Sequence, residues 1–181
     1  MNHLTLYDND TKAFLSARST NCIWHWELPF VETPTRDNNQ NYTANANYIV
    51  GGSYGDYTLI DLDGSAYSPG TSGYDTLNGG LASLWAGQHN VEYYGDDLIL
   101  MFDNGYDVQM DTFVTNSRML VVRLDGENMT ATLEWEHKMG YNSSIFGDCD
   151  RLPSGNMVGC SWPTDGVLDD GKLDINRCGK Y

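Results

Sequence analysis

Two stretches of this chain carry the same order of features. "YTLIDLDG" leads to "SLWAGQHNVEYYGDDLILMF", and "MLVVRLDG" leads to "TLEWEHKMGYNSSIFGDCDRLPSGNMVGCSW". Each reads as a strand, an Asp-Gly turn, a Trp-bearing strand, a loop, a polar residue, a turn and an apolar strand. A weaker copy precedes them as "CIWHWELP" and "NYIVGGS", and the opening "LTLYDN" resembles "LILMFDN". With Asn47, Asp97 and Asn156 as equivalent positions after the turn, the repeats are 50 and 59 residues long. A unit of that size cannot bury its apolar face alone and must stack on its neighbours. A period near 50 with about four strands per unit predicts an all-β fold, a β-propeller of four-stranded blades.

Helix signals are scarce, because Gly, Asn, Asp and Ser interrupt every stretch with apolar spacing of three and four. The 181 residues divide into units of 1–46, 47–96, 97–155 and 156–181, a single partial propeller domain of about three and a half blades. Closed propellers typically use about four to eight blades. The last residues, "DGKLDINRCGKY", begin a strand without a closing partner, so the expectation is a fragment of a larger ring. The Trp residues at 24, 26, 85 and 135 are expected to pack between blades. "SAYSPGTSGYDTLNGG", Ser65 to Gly80, reads as an exposed loop inserted in the second unit.

Charge narrows the partners. Ten Lys and Arg against 25 Asp and Glu give a net charge of -15, which repels a phosphate backbone and argues against nucleic acid. No window approaches the roughly 20 apolar residues of a membrane span. The start, "MNHLTLYDND", has no basic and apolar leader pattern. Asn9, Asn41, Asn128 and Asn142 each open a glycosylation acceptor triplet, which points to an extracellular or secretory location, although an Asn-rich chain produces some by chance.

Cysteines 22, 149, 160 and 178 lack paired Cys-x-x-Cys spacing, so no metal site is expected. Cys149 and Cys160 bracket "DRLPSGNMVG"; a two-residue turn at Ser154-Gly155 would set them opposite each other. Either a cross-strand disulfide or two buried thiols fits. Asp61, Asp63 and Gly64 resemble the start of a calcium loop, but Ser72 stands where the bidentate Glu is needed, which excludes an EF-hand. No cofactor is expected.

Eight residues before the post-turn position of each repeat stand Asn39, His89 and Asp148. In a propeller such positions can point to one end of the central channel, which makes His89 a candidate funnel residue. An ordinary polar role at a strand end is the other reading.

The stretches "QHNVEYYGDDLILMFDNG", "SRMLVVRLDG", "TLEWEHKMGYNSS" and "GDCDRLPSGNMVGCSW" together resemble the arylsulfotransferase family. The resemblance covers about Trp85 to Trp162 and rests on a His before a turn, Phe-Asp-Asn-Gly, Ser-Arg, Trp-Glu and Leu-Pro-x-Gly-Asn in that order. It implies a six-bladed propeller that moves a sulfuryl group from a phenolic sulfate ester to a phenol, without a nucleotide donor. That chemistry calls for a nucleophile, a proton-handling group and cationic donors to the sulfate oxygens. His89 matches one of the family's funnel histidines. The histidine that carries the sulfuryl group is expected near Cys160 to Trp162, yet this sequence has no histidine beyond His137. The arginine expected after Phe-Asp-Asn-Gly is also replaced, by "YDVQMD".

Arg118 could take that arginine's place, or form a structural ion pair at a strand start. Asn104 could bond a sulfate oxygen, or serve the Asp-Asn-Gly turn alone. His25 and His137, beside Trp residues, are expected to be packing residues. The rival function is a non-catalytic propeller module that binds a glycan, peptide or protein. Convergence of His89 and Arg118 on one pocket would favour the enzyme, and their separation the binding module.

Overall fold

The computed structural model describes residues 3–27 and 47–162; Asn39, Asn41 and Cys178 lie outside them. In His3–Tyr7 (β1), Leu4 and Leu6 are exposed while Thr5 and Tyr7 are half-buried, the period of two that a half-covered strand requires. Asp8, Asn9 and Asp10 turn the chain with φ of 53°, 54° and 64°, a left-handed conformation that short Asx side chains tolerate. The chain returns as Lys12–Ala17 (β2), then Cys22–Glu27 (β3) and Tyr48–Val50 (β4). These four strands form one antiparallel sheet in the order β1-β2-β3-β4.

Thr58–Ile60 (β5) and Ala66–Tyr67 (β6) belong to a second sheet. The insertion that follows contains a one-turn helix, Ser72–Asp75, capped by Thr71, whose hydroxyl accepts from the Tyr74 backbone N–H. The sequence reads this segment as an exposed loop, but Tyr74 is buried and its hydroxyl donates to the Gly52 carbonyl at 3.1 Å. One aromatic residue therefore pins the insertion to the end of the first sheet.

His89–Gly95 (β7) and Leu98–Asp103 (β8) make a hairpin. Tyr106–Asp107 (β9) and Thr112–Phe113 (β10) form a small ribbon. Arg118–Asp125 (β11) and Thr130–Lys138 (β12) complete the second sheet, ordered β6-β5-β12-β11-β8-β7. Strands β7, β8, β11 and β12 are an antiparallel meander, and β5 joins β12 in parallel. Asp148–Arg151 (β13) and Met157–Cys160 (β14) form a last hairpin. The described residues are thus mostly β, in several sheets, none closed into a barrel.

Strands β1 and β2 lie against β7, so the apolar faces of the first two sheets share a core that includes Phe14, Ile23, Leu59, Trp85, Ile99 and Leu120. Trp85 is fully buried there and donates its indole N–H to the Asn21 carbonyl at 2.9 Å, as the tryptophan expectation requires. Trp135 departs from it: 36% exposed, it stacks on His137.

The β13–β14 register also departs from expectation. Cys149 pairs with Gly159, and Asp148 with Cys160, because the turn holds one residue more than a two-residue loop. Side chains alternate faces, so Cys149 is buried while Cys160 is exposed on the other side. The Cys149–Cys160 disulfide is not formed.

Candidate functional site

Three strands open side by side on polar residues: β1 on His3, β7 on His89 and β13 on Asp148. Contacts join β1 to β7, and β7 and β8 to β13. The Thr5 hydroxyl locks the first pair by donating to the Val91 carbonyl at 2.7 Å, and the His3 ring bonds the same hydroxyl at 2.7 Å. Asn90 bridges the second pair: its amide donates to the Asp148 carboxylate, and to Glu92 at 3.3 Å. It reaches both because β7 is irregular between His89 and Glu92, with Asn90 at φ 48°.

His89 is half-buried. Its approach is set by Gly87, at φ 64°, where a Cβ would stand 2.4 Å from the Tyr106 carbonyl oxygen. Phe146 meets the ring edge-on at 6.3 Å, and Nδ1 is buried without a hydrogen-bond partner. Burial, then the Arg18 guanidinium, hold its pKa below the ordinary 6.5, against the pull of Gly147 and Asp148. Burial likewise lowers His3, opposed by Asp148. Both rings are therefore neutral at neutral pH, with nitrogen lone pairs able to take a proton.

Arg18 stands at the end of β2 and reaches across to the second sheet. Its Nε donates to the Gly87 carbonyl at 3.2 Å, its Nη2 donates to the Ser144 carbonyl, and its guanidinium lies 5.9 Å from the Tyr106 ring. One cation thus ties the segment before His89 to the loop over it. On the opposite flank, Glu92, Asp148 and Asp150 place carboxylate oxygens within 4.8 Å of one another. Burial first, and then the charges of Asp150 and Asp148, raise the Glu92 pKa.

The short motifs singled out in the sequence meet in one network beneath this site. Asp103 of "FDNG" is fully buried and accepts from the backbone N–H of Ala86 and Gly105, each at 2.9 Å, and from Arg118 Nε at 2.8 Å. Arg118 of "SR" also donates to Glu136 of "TLEWE" at 2.8 Å and to the Leu84 carbonyl at 2.5 Å. Burial opposes its charge, but Asp103 and Glu136 outweigh that and hold its pKa above the ordinary arginine value. Asn104 is buried, and its amide donates to the Ser143 and Phe146 carbonyls, each at 2.7 Å. The Ser117 hydroxyl donates to the Asn104 carbonyl at 2.8 Å and accepts from the Ser143 N–H at 2.7 Å. The network fixes both segments that hold His89, residues 84–88 and 143–147.

The structure brings His89 and Asp148 together, as the repeat alignment expects, and sets Asn104 under the loop above His89. It does not point Arg118 at His89: the guanidinium is committed to Asp103, Glu136 and Leu84, so the convergence of His89 and Arg118 expected of an enzyme is not found, and the cation beside His89 is Arg18 instead. Sequence reasoning missed His3 and Arg18. The likeness of "LTLYDN" to "LILMFDN" matched β1 to β8, a second strand, which hid the equivalence of His3 with His89. Nothing in the order of residues linked Arg18 to a histidine 71 positions later.

No curated protein matches the chain. A model of the family described as Arylsulfotransferase (ASST) matches residues 1–165, which is most of its length. On that match the chain belongs to the arylsulfotransferase family.

Proposed function

We propose that the chain forms part of a β-propeller whose funnel transfers sulfuryl groups between phenols, with His89 as the proton-handling group and Arg18 as the cation that meets the sulfate oxygens. The observation that carries this is a neutral, half-buried His89 beside an arginine, where three adjacent strands begin. Support for the propeller comes from two consecutive four-stranded antiparallel meanders, followed by a hairpin, each opening next to the last.

The reaction follows from those groups. The acceptor phenol gives its proton to a His89 ring nitrogen as its oxygen bonds to sulfur. The bond from sulfur to the donor oxygen breaks, and His89 returns the proton to the departing phenolate. Arg18 balances the charge that gathers on the sulfate oxygens. His89 acts here as a base and not as a sulfuryl carrier, so the missing downstream histidine is not required. Arg118 and Asn104 are positioning residues in this reading: the first anchors residues 84–88, the second the loop at 143–147. A secretory or extracellular setting accords with Asn9 and Asn128 lying in exposed turns.

The test is transfer of sulfate from a chromogenic aryl sulfate to phenol. His89→Ala should lower the rate by about 10²–10⁴-fold, and Arg18→Gln by about 10²–10³-fold. Phenol release by the unaltered protein no faster than by His89→Ala would overturn the reading and leave a non-catalytic binding module.

A further inference from the structure

We propose that a second site, a cleft between the first two sheets at the other end of β1 and β7, binds an organic cation such as a quaternary ammonium. Tyr7 and Tyr93 stand four residues along β1 and β7 from His3 and His89, about 13 Å at strand spacing. There the sheets part to leave a cleft of about 730 Å³. One wall is a column of rings across the first sheet. Phe14, His25 and Tyr48 are direct cross-strand neighbours, and Tyr7 stacks on Phe14 at 4.9 Å and on Tyr93 at 4.1 Å. At the outer end Tyr48, 36% exposed, meets Tyr57 at 6.1 Å and 89°, an aromatic corner of the kind that holds methylated ammonium groups.

The charges around the cleft select the sign of the ligand. Lys12 pairs with Asp8 at 3.5 Å, and Arg123 is bound by both carboxylate oxygens of Glu134. Among the described residues Asp97, Asp125 and Glu127 form no salt bridge, and four lining carboxylates, Asp8 included, against Lys12 and Arg123 leave the cleft net negative, so an anion is repelled and a cation drawn in. The tyrosines register the same field: burial and then neighbouring groups, among them Asp56, Asp125 and Asp97, push the Tyr57 phenol up to about 12. One ammonium already uses these walls, since Lys12 Nζ lies 6.0 Å from the centre of the Tyr7 ring. No group in the cleft takes part in the chemistry assigned to His89.

Choline and its uncharged isostere 3,3-dimethylbutan-1-ol separate charge from shape. Ligand-observed NMR and calorimetry on the full chain at low salt should show choline binding, with the isostere about tenfold weaker or more. Asp97 sits in a turn at φ 60°, a conformation Asn accepts, so Asp97→Asn should fold normally and weaken choline several-fold. Tyr48→Ala should abolish binding and Tyr48→Phe retain it. His89→Ala should leave it unchanged, which separates this site from the sulfuryl-transfer site. The proposal is overturned by absent choline binding, by equal affinity for the isostere, or by Asp97→Asn and Tyr48→Ala both leaving affinity unaltered.

Discussion

Arg118 shows how one residue can serve a site it does not touch. Its partner Asp103 is fully buried, so removing the cation strands a carboxylate where no water can replace it. Arg118→Met should cost about 3–5 kcal/mol, read from urea unfolding, and the double variant with Asp103→Asn should recover part of that. An exposed, dispensable pair would instead give a loss of about 1 kcal/mol or less. Gly147 is equally constrained. At φ 136°, a Cβ there would lie 2.1 Å from the Phe102 ring, whose neighbours in the core leave it little room. Gly147→Ala should therefore lower the melting temperature and disturb the His89 ring resonances in NMR spectra. The sequence names the residue types of this network but not their partners. It held two readings for Arg118 and two for Asn104, and only packing decides that their donors are spent on Asp103, Glu136 and loop carbonyls.

At the scale of elements, the strand pattern was legible and the registers were not. The apolar runs identify β8 and β11, because continuous burial is written directly into side-chain type; β1 alternates too, but with Leu4 and Leu6 on the exposed face and Thr5 and Tyr7 half-buried, the reverse of what side-chain type dictates. Register depends on turn length, and "LPSGN" does not reveal whether two or three residues turn the chain. One extra residue rotates Cys160 to the opposite face from Cys149. Alkylation checks this without reductant: Cys149, buried and with its thiol pKa pushed up by burial, should react only after denaturation. A Cys149–Cys160 bridge would leave it unlabelled even then. The ring column of the first sheet is the other element that emerges only from register, since its members come from four strands. Phe14 sits at its centre, 2% exposed, and Phe14→Ala should cost about 3–5 kcal/mol in chemical denaturation. A loss below about 1 kcal/mol would mean that the column contributes little to joining the sheets.

Over the whole molecule, the repeat period made the all-β class legible, and the motif order made the family legible, while the assembly of the site was hidden by the first unit. His3 entered through tertiary placement alone, beside His89. That pairing makes stability depend on pH. Both rings have pKa values below the ordinary 6.5, burial being the first cause of each. The unfolded chain therefore binds more protons than the folded one once the pH falls below about 6.5, and stability must fall with it until the folded rings titrate. At the alkaline end the sign reverses. Tyr57 is raised to about 12 and Tyr7 is raised as well, so their contribution is complete below the unfolded value of 10.0. It is lost as the pH climbs from there through the folded values, because the unfolded phenols ionise first. Melting temperature should thus decline on both sides of a plateau between about pH 6.5 and 10. Two variants assign the edges: a His3→Gln, His89→Gln variant should flatten the acid shoulder only, and Tyr57→Phe should soften the alkaline one only. An acid shoulder unchanged in the histidine variant would mean that carboxylate protonation governs it, and that the two rings at the head of β1 and β7 stand in a wetter setting than their burial implies.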